Sequence, residues 1–279
     1  MSIDNMTGVD AELERKHRTV WGLGDYASIA TELVATLGAI LVEAAGVRPG
    51  SRVLDVAAGT GNAALAAAGA GARVVASDLV PELLDRGRAR AAAAGPPIDD
   101  AVSWEPANAE ALPYDAGTFD TVLSCIGVMF APHHQRAADE LVRVCRPGGT
   151  IGLLSWTPEG FIGQMFATMK PFVPAPPAGA SPPPLWGDTD HVRSLLGDRV
   201  TDVQASRGEL AVDRFADGAA FRDYFKASYG PTINAYRGIA GDPDKVAELD
   251  AALAGLGDRA LAGGNSMDWE YLVVTARRV

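Results

Sequence analysis

Gly59-Thr60-Gly61 follows the short β-branched run Arg52-Val53-Leu54-Asp55-Val56 and precedes an alanine-rich stretch that opens at Asn62. Glycines between a strand and a helix let the chain turn tightly and bring its backbone amides against a ligand at the helix N-terminus. Asp78 closes the next strand-like run, Arg73 to Ser77, where a carboxylate can hold ribose hydroxyls. Gly59-x-Gly61-x-x-Ala64 also satisfies the relaxed dinucleotide-binding fingerprint, so these features specify an adenosine cofactor and leave its kind open. Asp55 narrows the choice. A carboxylate just ahead of the bend adds negative potential, which disfavours a pyrophosphate and suits a cationic or zwitterionic ligand. S-adenosylmethionine carries a sulfonium, an ammonium and no phosphate, and the electrostatics favour it.

His133 and His134 follow Met129-Phe130-Ala131-Pro132 at the start of a helix, near the carboxyl end of the fourth strand. Sites of open α/β sheets lie at such ends. A neutral imidazole there can take a proton from an acceptor hydroxyl, which makes both residues catalytic candidates beside the plainer reading of a solvated helix start. His17 and His191 carry weaker signals. Cys125 and Cys145 read as small buried hydrophobes, and no Cys/His cluster has metal-ligand spacing.

Trp21 and Tyr26 are placed to close over the cofactor, with the phenol on its carboxylate, or to pack within helices. The stripes Phe161/Met165/Met169 and Phe221/Phe225/Tyr229 have helical spacing, for which core packing is the default. They come from segments a nucleotide-binding core does not need. An apolar or aromatic acceptor pocket is therefore expected, with Trp21, Met129, Phe130, Phe161, Met165 and Phe225 in its walls.

These residues need a scaffold. Five short runs, at Arg52–Val56, Arg73–Ser77, Val102–Glu105, Phe119–Ser124 and Ile151–Trp156, are apolar nearly throughout and separated by helix-length segments. That pattern predicts an α/β fold with a doubly wound, mostly parallel seven-stranded sheet, helices on both faces and a helical cap. Pro81 predicts a helix start, and Pro147-Gly148-Gly149 ends a helix running from about Pro132 to Arg146. Later segments near Val200–Ser206 and Glu209–Arg214 read as two strands. Helices near Ala216–Arg237 and Asp242–Leu256 follow, then a last strand from Trp269 to Ala276. The prolines at 174–184 read as a stiff connector. The expected divisions are a cap segment at 1–47, the cofactor-binding core at 48–160, cap and pocket insertions at 161–262, and the last strand at 263–279.

The 279 residues are 48% hydrophobic and 21% charged, enough for a real core and too apolar for disorder. A formal charge of −11 repels phosphate backbones and anionic membranes, so neither nucleic acid nor a membrane is an expected partner. Two cysteines fit a reducing compartment, and the polar start Met1-Ser2-Ile3-Asp4-Asn5 does not read as a signal peptide. A cytoplasmic protein, compatible with a homodimer, is the expectation.

Val53-Leu54-Asp55-Val56-Ala57-Ala58-Gly59-Thr60-Gly61-Asn62 resembles the first motif of class I, Rossmann-like S-adenosylmethionine-dependent methyltransferases. Ala109-Glu110-Ala111-Leu112-Pro113-Tyr114 and Phe119-Asp120-Thr121-Val122-Leu123-Ser124 resemble the stretch into strand four of the ubiquinone/menaquinone-biosynthesis branch. Leu141 to Gly149 resembles its turn before strand five. The resemblance implies that Asp55 and the backbone of Ala57, Ala58, Gly59 and Gly61 hold the methionine end of the cofactor. Asp78 would bind the ribose, and Leu79 would pack on the adenine. Asn108 and Ala109, with Glu110 beside them, would meet the adenine edge, and Cys125 and Ile126 would line the floor. Ala57 and Asn108 stand where many members have glycine and aspartate.

The expected activity is methyl transfer from S-adenosylmethionine to a small apolar or aromatic acceptor, with oxygen the first choice of nucleophile. The alternatives are an NAD-dependent oxidoreductase and a cofactor-binding protein on the same fold that does not methylate.

Overall fold

The computed structural model describes residues 8–177 and 179–279; Met1 to Asn5, discussed above, lie outside them. Three helices, α1 (Gly8–Trp21), α2 (Tyr26–Glu32) and α3 (Leu37–Ala44), precede β1 (Arg52–Val56). The glycine bend joins β1 to α4 (Asn62–Gly69). Then come β2 (Arg73–Asp78), α5 (Pro81–Ala94), α6 (Pro96–Asp99), β3 (Val102–Pro106), β4 (Phe119–Cys125), α7 (His134–Val144) and β5 (Cys145–Trp156). The remainder is α8 (Phe161–Met169), α9 (Thr189–Leu196), β6 (Val200–Val212), α10 (Gly218–Ser228), α11 (Gly230–Ile239), α12 (Pro243–Leu261) and β7 (Met267–Arg278).

The strands form one seven-stranded sheet in the order β3-β2-β1-β4-β5-β7-β6. β1 to β5 are parallel, whereas β7 runs antiparallel to both β5 and β6. The sheet is therefore mixed. The chain winds outward from β1 through β2 to β3, then restarts on the other side at β4. This reversal opens a crevice beyond the carboxyl ends of β1 and β4, the usual ligand position in such sheets. β1 has Val53, Leu54 and Val56 fully buried, as a strand covered on both faces requires.

Several elements depart from the sequence reading. The two expected strands after residue 200 are one, β6, whose pairing with β7 is irregular between Thr201 and Gln204, where Asp202 has φ +51°. β6 belongs to the sheet, so the insertions expected at 161–262 include an edge strand, and its mostly exposed residues explain why it carries no clear apolar run. The helix expected over Ala216–Arg237 is broken at Tyr229, and Pro231 lies in the first turn of α11. α7 stops at Val144, and Pro147-Gly148-Gly149 lies within β5 rather than in a turn before it. α9 was not anticipated, although Asp188 caps it by accepting the N–H of His191 at 2.7 Å. The proline-rich connector places a short 3-10 turn, Pro183–Gly187, whose Trp186 is buried. Among the described residues no single helix is long and apolar enough to cross a membrane.

Candidate functional site

The crevice is a cavity of about 930 Å³, lined from below by the ends of β1, β2 and β4 and from above by α1, α2, α8 and Phe225 of α10. That lies near the upper end of the range of about 300–1,000 Å³ for small-molecule sites. A cofactor and an acceptor can share it.

The bend after β1 is built from backbone that side chains disfavour. Ala57, Gly59 and Gly61 have φ of +54°, +57° and +87°. Gly61 does not line the cavity; a Cβ there would meet Trp104 Cη2 at 2.4 Å, so it serves the turn and the packing on β3. Gly59 lines the cavity, and a Cβ there would meet nothing within 4 Å. The Gly59 N–H is taken by Asp78 Oδ2 at 2.8 Å, and Asp78 Oδ1 accepts the Val80 N–H at 2.9 Å. Burial raises the Asp78 carboxyl, and these backbone bonds oppose the rise. From α5, Arg90 Nη1 donates to the Thr60 carbonyl at 2.7 Å and to Asn62 Oδ1 at 2.9 Å, bracing the bend from behind.

Asp55 is 1% exposed. Its Oδ2 accepts the Ala64 N–H at 2.9 Å and so caps the first turn of α4, a structural role the sequence reading missed. Its Oδ1 is buried with no hydrogen-bond partner among the described residues. Burial lifts the carboxyl to about 7, the Ala64 bond opposes, and the nearby Asp78 adds to the rise. A buried acceptor without a donor, two carboxylates flanking one bend and an open space at Gly59 make a cradle for a zwitterionic or cationic adenosyl ligand. The residues fit S-adenosylmethionine.

The remaining cofactor candidates divide. Ala58, Leu79, Ala109, Cys125 and Ile126 line the cavity. Burial pushes the Cys125 thiol far up, which keeps it neutral, and Ile126 holds φ +68°, a strained backbone for a β-branched residue at the cavity floor. Tyr26 lines the cavity, and its phenolic oxygen accepts the Gly230 N–H at 3.1 Å, leaving the O–H to donate. Asn108 is committed to the protein: Nδ2 donates to Glu14 at 2.9 Å and Oδ1 accepts the Glu110 N–H at 2.9 Å. Glu110 holds His133, with Oε1 accepting its N–H at 2.7 Å and Oε2 standing 2.8 Å from Nδ1. Both residues line the cavity, with these side-chain atoms already paired within the protein.

The two catalytic candidates separate. His133 lines the cavity. His134 does not: it is buried between α7 and α9, with Nδ1 2.9 Å from His191 Nε2 and its ring 5.4 Å from that of Trp186. Burial lowers it to about 4, and His191 adds to the fall. Among the expected acceptor contacts, Trp21, Phe130, Met165 and Phe225 line the cavity, whereas Met129 is core and Phe161 stacks behind Trp269 at 5.8 Å and 4°. Trp21 packs on Phe130 at 4.3 Å and on Tyr26 at 5.4 Å, tying α1 to the rim. Trp156 and Trp269 were not expected as walls and His17 was set aside, yet all three line the cavity, as does Tyr229 of the stripe Phe221/Phe225/Tyr229. A tryptophan at the end of β5 and one at the start of β7 was the available signal.

The description "Methyltransferase domain" matches residues 53–149. An uncharacterised protein of Mycobacterium tuberculosis is 58% identical over 262 residues, 94% of each chain. A demethylmenaquinone methyltransferase of Clavibacter sepedonicus is 42% identical over 102 residues, 37% of this chain and 40% of that one. The Haemonchus contortus phosphoethanolamine N-methyltransferase 2 in complex with S-adenosyl-L-methionine shares the fold, at a TM-score of 0.58 and 12% identity, over 98% of this chain and 60% of that one. The chain belongs to the same family as the mycobacterial protein, and its residues 53–149 are a methyltransferase domain.

Proposed function

We propose that the chain is an S-adenosylmethionine-dependent methyltransferase of a small apolar or aromatic acceptor, with a hydroxyl oxygen as nucleophile. The observation that carries this reading is the bend itself: Gly59 held by Asp78, beside the buried and unpartnered Oδ1 of Asp55. Two interacting carboxylates at that point repel a pyrophosphate and favour a ligand with an ammonium. Asp55 and the Ala57–Gly61 backbone would hold the methionine end, Asp78 the ribose and Leu79 the adenine. When bound, S-adenosylmethionine supplies an electrophilic methyl carbon on a sulfonium.

The chain's own residues supply position and dryness. Trp21, Phe130, Met165, Phe225 and Trp269 give the cavity an aromatic and apolar wall that excludes water and favours a flat acceptor. α1, α2, α8 and α10 act as the cap that closes it. Holding nucleophile and methyl in line contributes up to about 7–11 kcal/mol in favourable cases. His133 takes the acceptor's hydroxyl proton.

Thermal unfolding in the presence of S-adenosylhomocysteine or NADH tests the cofactor. Stabilisation by S-adenosylhomocysteine alone is expected, and stabilisation by NADH alone would overturn the reading. Incubation with methyl-labelled cofactor and a panel of phenols, acids and amines then tests transfer; labelling of a phenol is expected, and binding without transfer to any of them leaves a non-methylating protein.

A further inference from the structure

We propose that Glu110 is a positioning residue that fixes His133 with its proton on Nδ1 and Nε2 open to the cavity, which selects an acceptor bearing an acidic hydroxyl. The acceptor class rests on the methyltransferase reading above; the tautomer does not.

Both oxygens of Glu110 go to the same residue, one to the His133 backbone N–H and one to Nδ1. An ionised carboxylate only accepts, so the hydrogen between Oε2 and Nδ1 belongs to the imidazole. Nε2 is then the neutral acceptor nitrogen, and it has no protein partner among the described residues. The pair is fixed in place. Side chains of His133 and Glu110 are 19% and 10% exposed, and the Glu110 backbone is held by Asn108 Oδ1. Asn108 is held in turn by Glu14 of α1. His17, also on α1, approaches the same carboxylate: burial lowers its ionisation, Glu110 opposes, and His133 adds to the fall.

All four residues, Glu14, His17, Glu110 and His133, line the cavity. An acceptor hydroxyl placed at Nε2 gives its proton to the nitrogen lone pair, and the O–H bonding pair stays on oxygen as the nucleophile. Glu110 balances the imidazolium so formed, and the proton later leaves to water. An amine attacks through a lone pair it already carries, so it needs no base before transfer and sheds its proton only from the ammonium formed afterwards.

The ring-nitrogen NMR spectrum of ¹⁵N-histidine-labelled protein tests it. The chain has four histidines, and His133→Gln identifies the signal. At about pH 8, above the ordinary imidazole range, wild-type His133 is expected to show a protonated Nδ1 and an unprotonated Nε2. Glu110→Gln and Glu110→Ala, with folding checked by amide dispersion, are expected to turn this single form into a tautomer mixture. A wild-type Nε2–H form, or the same single tautomer in both variants, would overturn the proposal. Phenol, still protonated at that pH, added with S-adenosylhomocysteine is expected to shift the Nε2 signal, and no movement at saturation rejects the acceptor class. Failure of S-adenosylhomocysteine to bind would instead reject the methyltransferase reading.

Discussion

Asp78 Oδ2 accepts the N–H of Gly59 at 2.8 Å, so the end of β2 holds the bend that follows β1. The same carboxylate takes the Val80 N–H through its other oxygen, which makes Asp78 a bracket between two loops. Truncation to alanine leaves both amides without their acceptor, at about 1–3 kcal/mol each. Asp78→Ala is expected to lower Tm by at least about 5 °C and to abolish stabilisation by S-adenosylhomocysteine. Differential scanning calorimetry with and without the ligand reads both effects. A variant that melts with wild type and still responds to the ligand would remove Asp78 from the site.

Asp55 makes a pH prediction whose sign follows from burial. Its folded carboxyl titrates near 7 against 3.8 in the ordinary range, so the native state binds more protons between those values. The stability it permits is full below about pH 4 and declines as pH rises through about 7, by up to about 4 kcal/mol. Asp55→Asn stays neutral and can keep the Ala64 bond. Its urea midpoint is expected to fall less than that of wild type between about pH 5 and pH 8, while its affinity for S-adenosylhomocysteine drops roughly 10-fold or more. Parallel pH profiles for the two proteins would contradict the assignment.

Gly59 and Gly61 separate binding from folding. Both lie at positive φ, where a side chain costs about 1–2 kcal/mol. Only Gly61 would also drive a Cβ against Trp104, whereas a methyl on Gly59 projects into open space in the cavity. Gly61→Ala is expected to destabilise by several times as much as Gly59→Ala, and Gly59→Ala to weaken S-adenosylhomocysteine more than its stability loss explains. Ala57, at φ +54°, carries the same strain already, so Ala57→Gly is expected to be neutral or stabilising. Paired denaturation and calorimetric titrations decide the order; equal losses of stability would refute the steric argument.

The bend and both carboxylates were legible because local rules govern them: a strand, left-handed glycines and a helix start occupy adjacent residues. The acceptor side was legible only in part: Trp21, Phe130, Met165 and Phe225 line the cavity, and Met129 and Phe161 do not. Trp156 and Trp269 come together at 5.9 Å only because β7 inserts antiparallel beside β5, a pairing no local pattern announces. His133 and His134 differ by one position in a helix start, which turns one ring to the cavity and the other to α9. What decides between them is His191, a residue 57 positions away on a helix whose N-cap the sequence shows but whose packing it does not. Asn108 and Glu110 were legible as members of a motif, yet their partners, Glu14 and His133, lie on different elements.

His134 therefore predicts acid behaviour opposite to that of Asp55. It is buried, its Nε2 has no partner among the described residues, and its ionisation is lowered from 6.5 to about 4. Below about pH 6.5 the unfolded chain binds a proton that the native state refuses, so this contribution is present above that pH and lost as pH falls through about 4, by up to about 3 kcal/mol. His134→Phe keeps an aromatic ring against Trp186 and removes the titration. Its Tm is expected to decline less than that of wild type between about pH 7 and pH 4.5, with binding of S-adenosylhomocysteine intact because the residue lies outside the cavity. An acid limb as steep as that of wild type would mean that another group carries the proton uptake, and lost ligand binding would return His134 to the site.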